Sequence, residues 1–73
     1  MERKDFRERV DNEYADQRRE SDSVKPDWIW LNLILEELGE VAQDVNNDRS
    51  PLHELVQVVT LIEAWVEHRE NWK

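Results

Sequence analysis

The chain has 73 residues, no cysteine, one glycine and two prolines, and its 18 acidic against 10 basic side chains give a formal net charge of -8. That length allows one domain, 1–73, whose single core is marginal, and no disulfide or thiolate metal site can staple it. So acidic a surface repels nucleic acid, and no run approaches the roughly 20 apolar residues of a membrane span. The charged start Met1-Glu2-Arg3-Lys4-Asp5 also lacks the apolar stretch of a signal peptide. Scarce turn residues argue against a many-stranded sheet. The expectation is an all-α, cytoplasmic protein with no membrane and no nucleic-acid partner.

Residues 1–25 read as a charged N-terminal helix and loop. Phe6, Val10 and Tyr14 recur every four residues, one narrow stripe of a helix over about 2–20. Such a helix is marginal alone and must dock through that stripe. Ser21 to Pro26 then breaks the pattern as a loop.

Residues 26–73 carry the core as a helical hairpin. A second helix starts at Pro26 or Asp27, with proline tolerated and aspartate favoured in the first turn. Trp28, Leu31, Ile34, Leu35, Leu38, Val41, Ala42 and Val45 follow, each with an apolar neighbour three or four residues away. Asn46-Asn47-Asp48 ends the helix, asparagine being able to take the left-handed cap conformation. Ser50-Pro51 starts a third helix as hydroxyl cap and first-turn proline. Its residues Leu52, Leu55, Val56, Val59, Ile62 and Val66 form one stripe, and Val58, Leu61 and Trp65 a second. A helix apolar on two sides is sandwiched, within a larger bundle or against another subunit. Three short helices do not easily cover both sides. The fold expected is a three-helix unit with a central antiparallel hairpin, completed by homo-oligomerisation, at least as a dimer.

Carboxylates sit inside these apolar helices. Glu37 and Glu40 are three apart, Asp44 extends their row by a turn, and Glu36 lies within four of Glu40. Like charges at this spacing destabilise a helix by a few tenths of a kcal/mol. The third helix places Glu54 and Gln57 three apart just inside its start. An antiparallel hairpin brings the two rows together, and hard oxygen ligands suit Mg²⁺, with Mn²⁺ as substitute. The alternative is a solvated acidic face, common in a chain this acidic.

At these residues the chain resembles the MazG-type, all-alpha nucleoside triphosphate pyrophosphohydrolases. Their signature is Glu-Glu-x-x-Glu on one helix and Glu-x-x-Asp on the next. Glu36-Glu37-Leu38-Gly39-Glu40 matches the first half, and Glu54-Leu55-Val56-Gln57 the second except at Gln57. Small members of that family often carry glutamine there, and Glu13 with Gln17 is similar to an upstream pattern of the same subgroup. The resemblance covers about 10–68. It implies Mg²⁺-dependent cleavage of a (deoxy)nucleoside triphosphate to the monophosphate and pyrophosphate. By position it makes Glu37, Glu40 and Glu54 metal ligands, with Gln57 at the fourth ligand position. Glu36 and Glu37 become the catalytic carboxylates, Glu36 as ligand or as the base orienting a water.

Trp30 and Trp65 would stack a nucleobase or simply fill core and interface. Asn32 would hydrogen-bond a base or sugar, or lie on the solvated side. Basic groups for phosphate are few in the core half, Arg49, Arg69 and Lys73, with Arg18, Arg19 and Lys25 able to approach from the first helix and loop. Gln57, a short C-terminal end and this scarcity of cations favour a second reading. In it the chain is a MazG-like helical module without turnover, acting in protein–protein interaction or assembly.

Overall fold

A computed structural model describes residues 1–17, 24–69 and 71–72. The chain forms α1 (Arg3–Gln17), α2 (Asp27–Asn46) and α3 (Leu52–His68). No strand occurs among the described residues. The expected end of the first helix at Glu20, the loop positions 21–23, Arg18, Arg19 and Lys73 lie outside the described residues.

The expected boundaries of α2 match the observed ones, and its end differs in one detail. The left-handed residue is Asp48, with φ of 54°, not an asparagine. Asn47 instead stays at φ -109° and caps with its side chain, Nδ2 donating to the Gln43 carbonyl at 2.7 Å. A short polar side chain tolerates either role. The third helix starts one residue later than expected: Pro51 is its N-cap and not its first helical residue, no side chain caps it, and the Ser50 hydroxyl, one residue further out, accepts only from the Leu52 amide at 3.3 Å.

α2 and α3 pack together as a hairpin, and α1 packs on α3 with no close backbone approach to α2. α3 is therefore the central helix. This corrects part of the sequence expectation: one flank of α3 is covered within the chain, by α1. Val10 of the predicted α1 stripe is fully buried, with Phe6 and Tyr14 half-buried beside it. Arg7 adds an ion pair to Glu63 of α3 at 2.5 Å. The remaining core is Trp30 and Ile34 of α2 and Val56 and Val58 of α3, with Val56 beside Asn12 and Glu13 of α1.

Thr60 is the one fully buried polar side chain among the described residues. Its hydroxyl donates to the Val56 carbonyl one turn back at 2.7 Å, which satisfies it without a partner helix. That bond lets a threonine occupy the α1–α3 contact, where the apolar pattern did not place it. Among the described residues no helix is long and apolar enough to cross a membrane.

Candidate functional site

α1 and α2 both flank α3, and Tyr14 and Gln17 of α1 with Trp30 and Leu33 of α2 border one cavity over Leu61 and Ala64 of α3. The carboxylates lie further along α2. At 100° per residue, Glu36, Glu37, Glu40 and Asp44 share one side of the helix, next to the α3 contact. Glu37 is half-buried, whereas Glu36 and Glu40 are exposed.

The two acidic rows meet across the hairpin. Partial burial and a carboxyl–carboxylate hydrogen bond with Glu40 push the Glu37 carboxyl above its ordinary value, helped by the charges of Glu40, Glu36 and Glu54. Glu54 is also raised, chiefly by a hydrogen bond to Asp44. Asp44 is correspondingly lowered, by that bond and by Arg49. The pair thus favours the charge on Asp44 over Glu54, and Arg49 Nε donates to Asp44 Oδ1 at 3.0 Å. Asp44 is thus the α2 carboxylate that engages Glu54. Its place one turn beyond Glu40 in the same row was the sequence signal for it.

These groups form a row and not a closed cage. Among the described residues no three Asp, Glu or His side chains are gathered as a ligand set. The donors present are nonetheless hard carboxylate oxygens from two helices. Mg²⁺ commonly takes one or two protein carboxylates and completes its shell with water and phosphate oxygens, so an open row fits it better than it fits a fully caged cation.

Gln57 sits one turn beyond Glu54 but is engaged by α1. Its Oε1 accepts from Gln17 Nε2 at 2.7 Å, and its Nε2 donates to Glu13 Oε1 at 2.5 Å. Gln17 also reaches the same Glu13 oxygen at 3.4 Å. The Glu13/Gln17 pattern and the glutamine at 57 are therefore one part-buried network, a polar latch between α1 and α3. Gln57→Leu is expected to cost about 1–3 kcal/mol in urea unfolding, because Glu13 loses its best donor. An unchanged midpoint would show that the latch carries no stability and leave Gln57 available to the carboxylate row.

The predicted substrate-contacting residues divide between two places. Trp30 is 3% exposed, and its ring packs against His68 at 6.0 Å between centroids while Lys25 Nζ stands 4.7 Å from its centroid. Beside it lies a cavity of about 170 Å³ bordered by Tyr14, Leu33 and Leu61. The Tyr14 hydroxyl is buried there with no hydrogen-bond partner among the described residues. Trp65 and Arg69 instead meet Asp27 at the start of α2. The Trp65 indole N–H donates to Asp27 Oδ1 at 2.9 Å, and Arg69 Nε pairs with the same oxygen at 3.0 Å. Arg69 also stacks over Trp72 at 4.4 Å. This clamp ties the first turn of α2 to the last turn of α3. No periodicity foretold it, since Asp27 reads as an ordinary first-turn acid. Asn32 is exposed on the outer side of α2.

Known protein families, curated proteins and solved structures offer no match to this chain.

Proposed function

We propose that this protein is a Mg²⁺-dependent pyrophosphohydrolase of (deoxy)nucleoside triphosphates, releasing the monophosphate and pyrophosphate. The reading joins the resemblance of Glu36-Glu37-Leu38-Gly39-Glu40 and Glu54-Leu55-Val56-Gln57 to the MazG-type motif with one structural observation. That observation is the meeting of the α2 and α3 carboxylate rows, where Glu54 and Asp44 share a hydrogen bond across the hairpin. Uncompensated carboxylates on apolar helices are costly alone and are the donor chemistry that a divalent cation relieves.

Glu37, Glu40 and Glu54 would hold the cation. When bound, it supplies neutralisation of phosphate charge and acidification of water. Glu36, exposed one residue before Glu37, is free to accept a proton from an attacking water. The cavity beside the buried Trp30 lies about 10 Å along α2 from Glu37 at 1.5 Å per residue, a span suited to a base at one end and phosphates at the other. The cavity between α1 and α2 beside Trp30 would take the base. The working unit is taken to be a homo-oligomer, at least a dimer.

The test is pyrophosphate release over a panel of canonical and modified nucleotides, with Mg²⁺ and with chelator. Release that needs Mg²⁺ is expected, and no release from any nucleotide rejects the reading. The engagement of both ends of Gln57 by α1 favours the second reading, a helical module without turnover. Calorimetric titration with Mg²⁺ separates the two: binding supports the hydrolase, and its absence supports the module.

A further inference from the structure

Tyr14 and Gln17 stand three residues apart on α1, neighbours on one face of that helix. Both border the cavity beside Trp30, whose other walls include Leu33 of α2 and Leu61 and Ala64 of α3. The Trp30 ring is a fixed wall, held by Lys25 Nζ at 4.7 Å and by the His68 ring at 6.0 Å. The volume is about 170 Å³. An apolar cavity of about 150 Å³ holds one benzene ring, so this space holds a single six-membered ring with its substituents. A fused two-ring system would leave one ring outside.

Two polar groups stand in this apolar setting. The Tyr14 hydroxyl is buried with no hydrogen-bond partner among the described residues. A buried hydroxyl left unpaired costs stability, and native structures pair nearly all of them. Gln17 uses both amide hydrogens, one on Gln57 Oε1 at 2.7 Å and one on Glu13 Oε1 at 3.4 Å. What it has to offer a ligand is therefore its carbonyl oxygen, an acceptor. One face of α1 thus combines a hydroxyl donor with a carbonyl acceptor.

We infer that the cavity selects pyrimidine over purine nucleotides, and that Tyr14 is the residue that reads the base. A pyrimidine is a planar single ring whose edge sets an acceptor beside a donor. In cytosine these are the ring nitrogen and the exocyclic amine, and in uracil and thymine a carbonyl and the ring N–H. Tyr14 donates to the acceptor, and the Gln17 oxygen accepts from the donor. Purine edges carry similar pairs, so ring size is what turns purines away. A plain aromatic or aliphatic ligand fits the volume but leaves the Tyr14 hydroxyl unpaired. The inference rests on the hydrolytic reading only in taking the base to be that of a triphosphate; the binding of the base needs neither cation nor turnover.

Nucleosides titrated in chelator, followed by amide NMR, isolate the cavity from the carboxylates. Deoxycytidine and thymidine should shift the amides of Tyr14, Leu61 and Ala64. They should bind at least about tenfold more tightly than deoxyadenosine, equal to 1.4 kcal/mol. Tyr14→Phe should unfold at a higher urea midpoint, since it deletes an unpaired buried hydroxyl, and bind the pyrimidine nucleosides about tenfold more weakly. A hydroxyl with a purely structural role would give the opposite, a lower midpoint with unchanged affinity, and that result overturns the inference. Ala64→Leu should fill the cavity and abolish nucleoside binding with helical circular dichroism retained. Absence of nucleoside binding, or equal binding of deoxyadenosine, also overturns it. Pyrimidine binding without pyrophosphate release from any triphosphate upholds the cavity and rejects the hydrolase alone. Release that treats purine and pyrimidine triphosphates alike rejects the cavity's selectivity and leaves the hydrolase standing.

Discussion

Replacing Glu37 by glutamine is expected to raise the thermal midpoint at pH 7 while abolishing Mg²⁺-dependent pyrophosphate release. The folded state holds the Glu37 carboxyl above its ordinary 4.5, first through burial and then through Glu40, Glu36 and Glu54. Over the interval between those values the native chain binds more protons than the unfolded one. Its stability is therefore full below about the ordinary value and is lost as pH rises through the raised one. Glu54 is raised too and has the same sign. Asp44, lowered by Glu54 and Arg49, has the opposite sign: its contribution is lost only as pH falls below the ordinary aspartate value. The wild-type midpoint should thus decline from pH 4.5 toward 7. In Glu37→Gln that decline should flatten, because the neutral amide carries no charge penalty.

Activity should move the other way. Loss of a direct cation ligand is expected to reduce pyrophosphate release by at least about 100-fold, the upper end of what even an outer-shell partner costs. Glu40→Gln should lose activity comparably. Added Mg²⁺ should raise the wild-type midpoint by mass action and do so much less in either variant. A site kept unstable for the sake of a ligand is the usual trade between stability and function. If Glu37→Gln lowers the midpoint, or leaves release intact, the carboxylate row is a solvated face and not a cation site.

Trp30→Ala is expected to leave the chain largely unfolded at 25 °C. Trp30 is the largest side chain in the core, 3% exposed and in ring contact with His68. Truncation of such a residue costs about 3–5 kcal/mol, and a single core of this size supplies only about 3–5 kcal/mol. Nothing remains in reserve. Circular dichroism at low micromolar concentration should show the loss of helix, with Trp30→Phe retaining the fold at a lower urea midpoint. A folded Trp30→Ala protein would mean that the ring is held for binding and not for the core.

Helix number, order and, for α2, boundaries were legible in the order of residues. Apolar spacing of three and four, Pro26, Ser50 and Pro51 act within a turn or two of themselves, so they need no distant partner to be read. The stripe of Phe6, Val10 and Tyr14 likewise announced that α1 docks. The destination of that stripe was not legible, because α3 offers two apolar flanks and periodicity alone does not say which helix takes which. The site divides the same way. Glu37, Glu40 and Glu54 are visible as rows, whereas the Asp44–Glu54 pair depends on how far the hairpin slides. Gln57 shows the same limit from the other side: its position in the motif aligns it with ligands, and its amide belongs to Glu13 and Gln17.

By itself the sequence determined an acidic, all-helical chain with a short core and carboxylates set into its apolar helices. Those properties follow from composition and local spacing. The tertiary structure alone decided that α3 is central, that Asp27 gathers Trp65 and Arg69, and that Tyr14 and Trp30 border one cavity. Each depends on the rotation of one helix about its axis relative to another. That angle is set by the packing of side chains from separate helices, and no local pattern contains it.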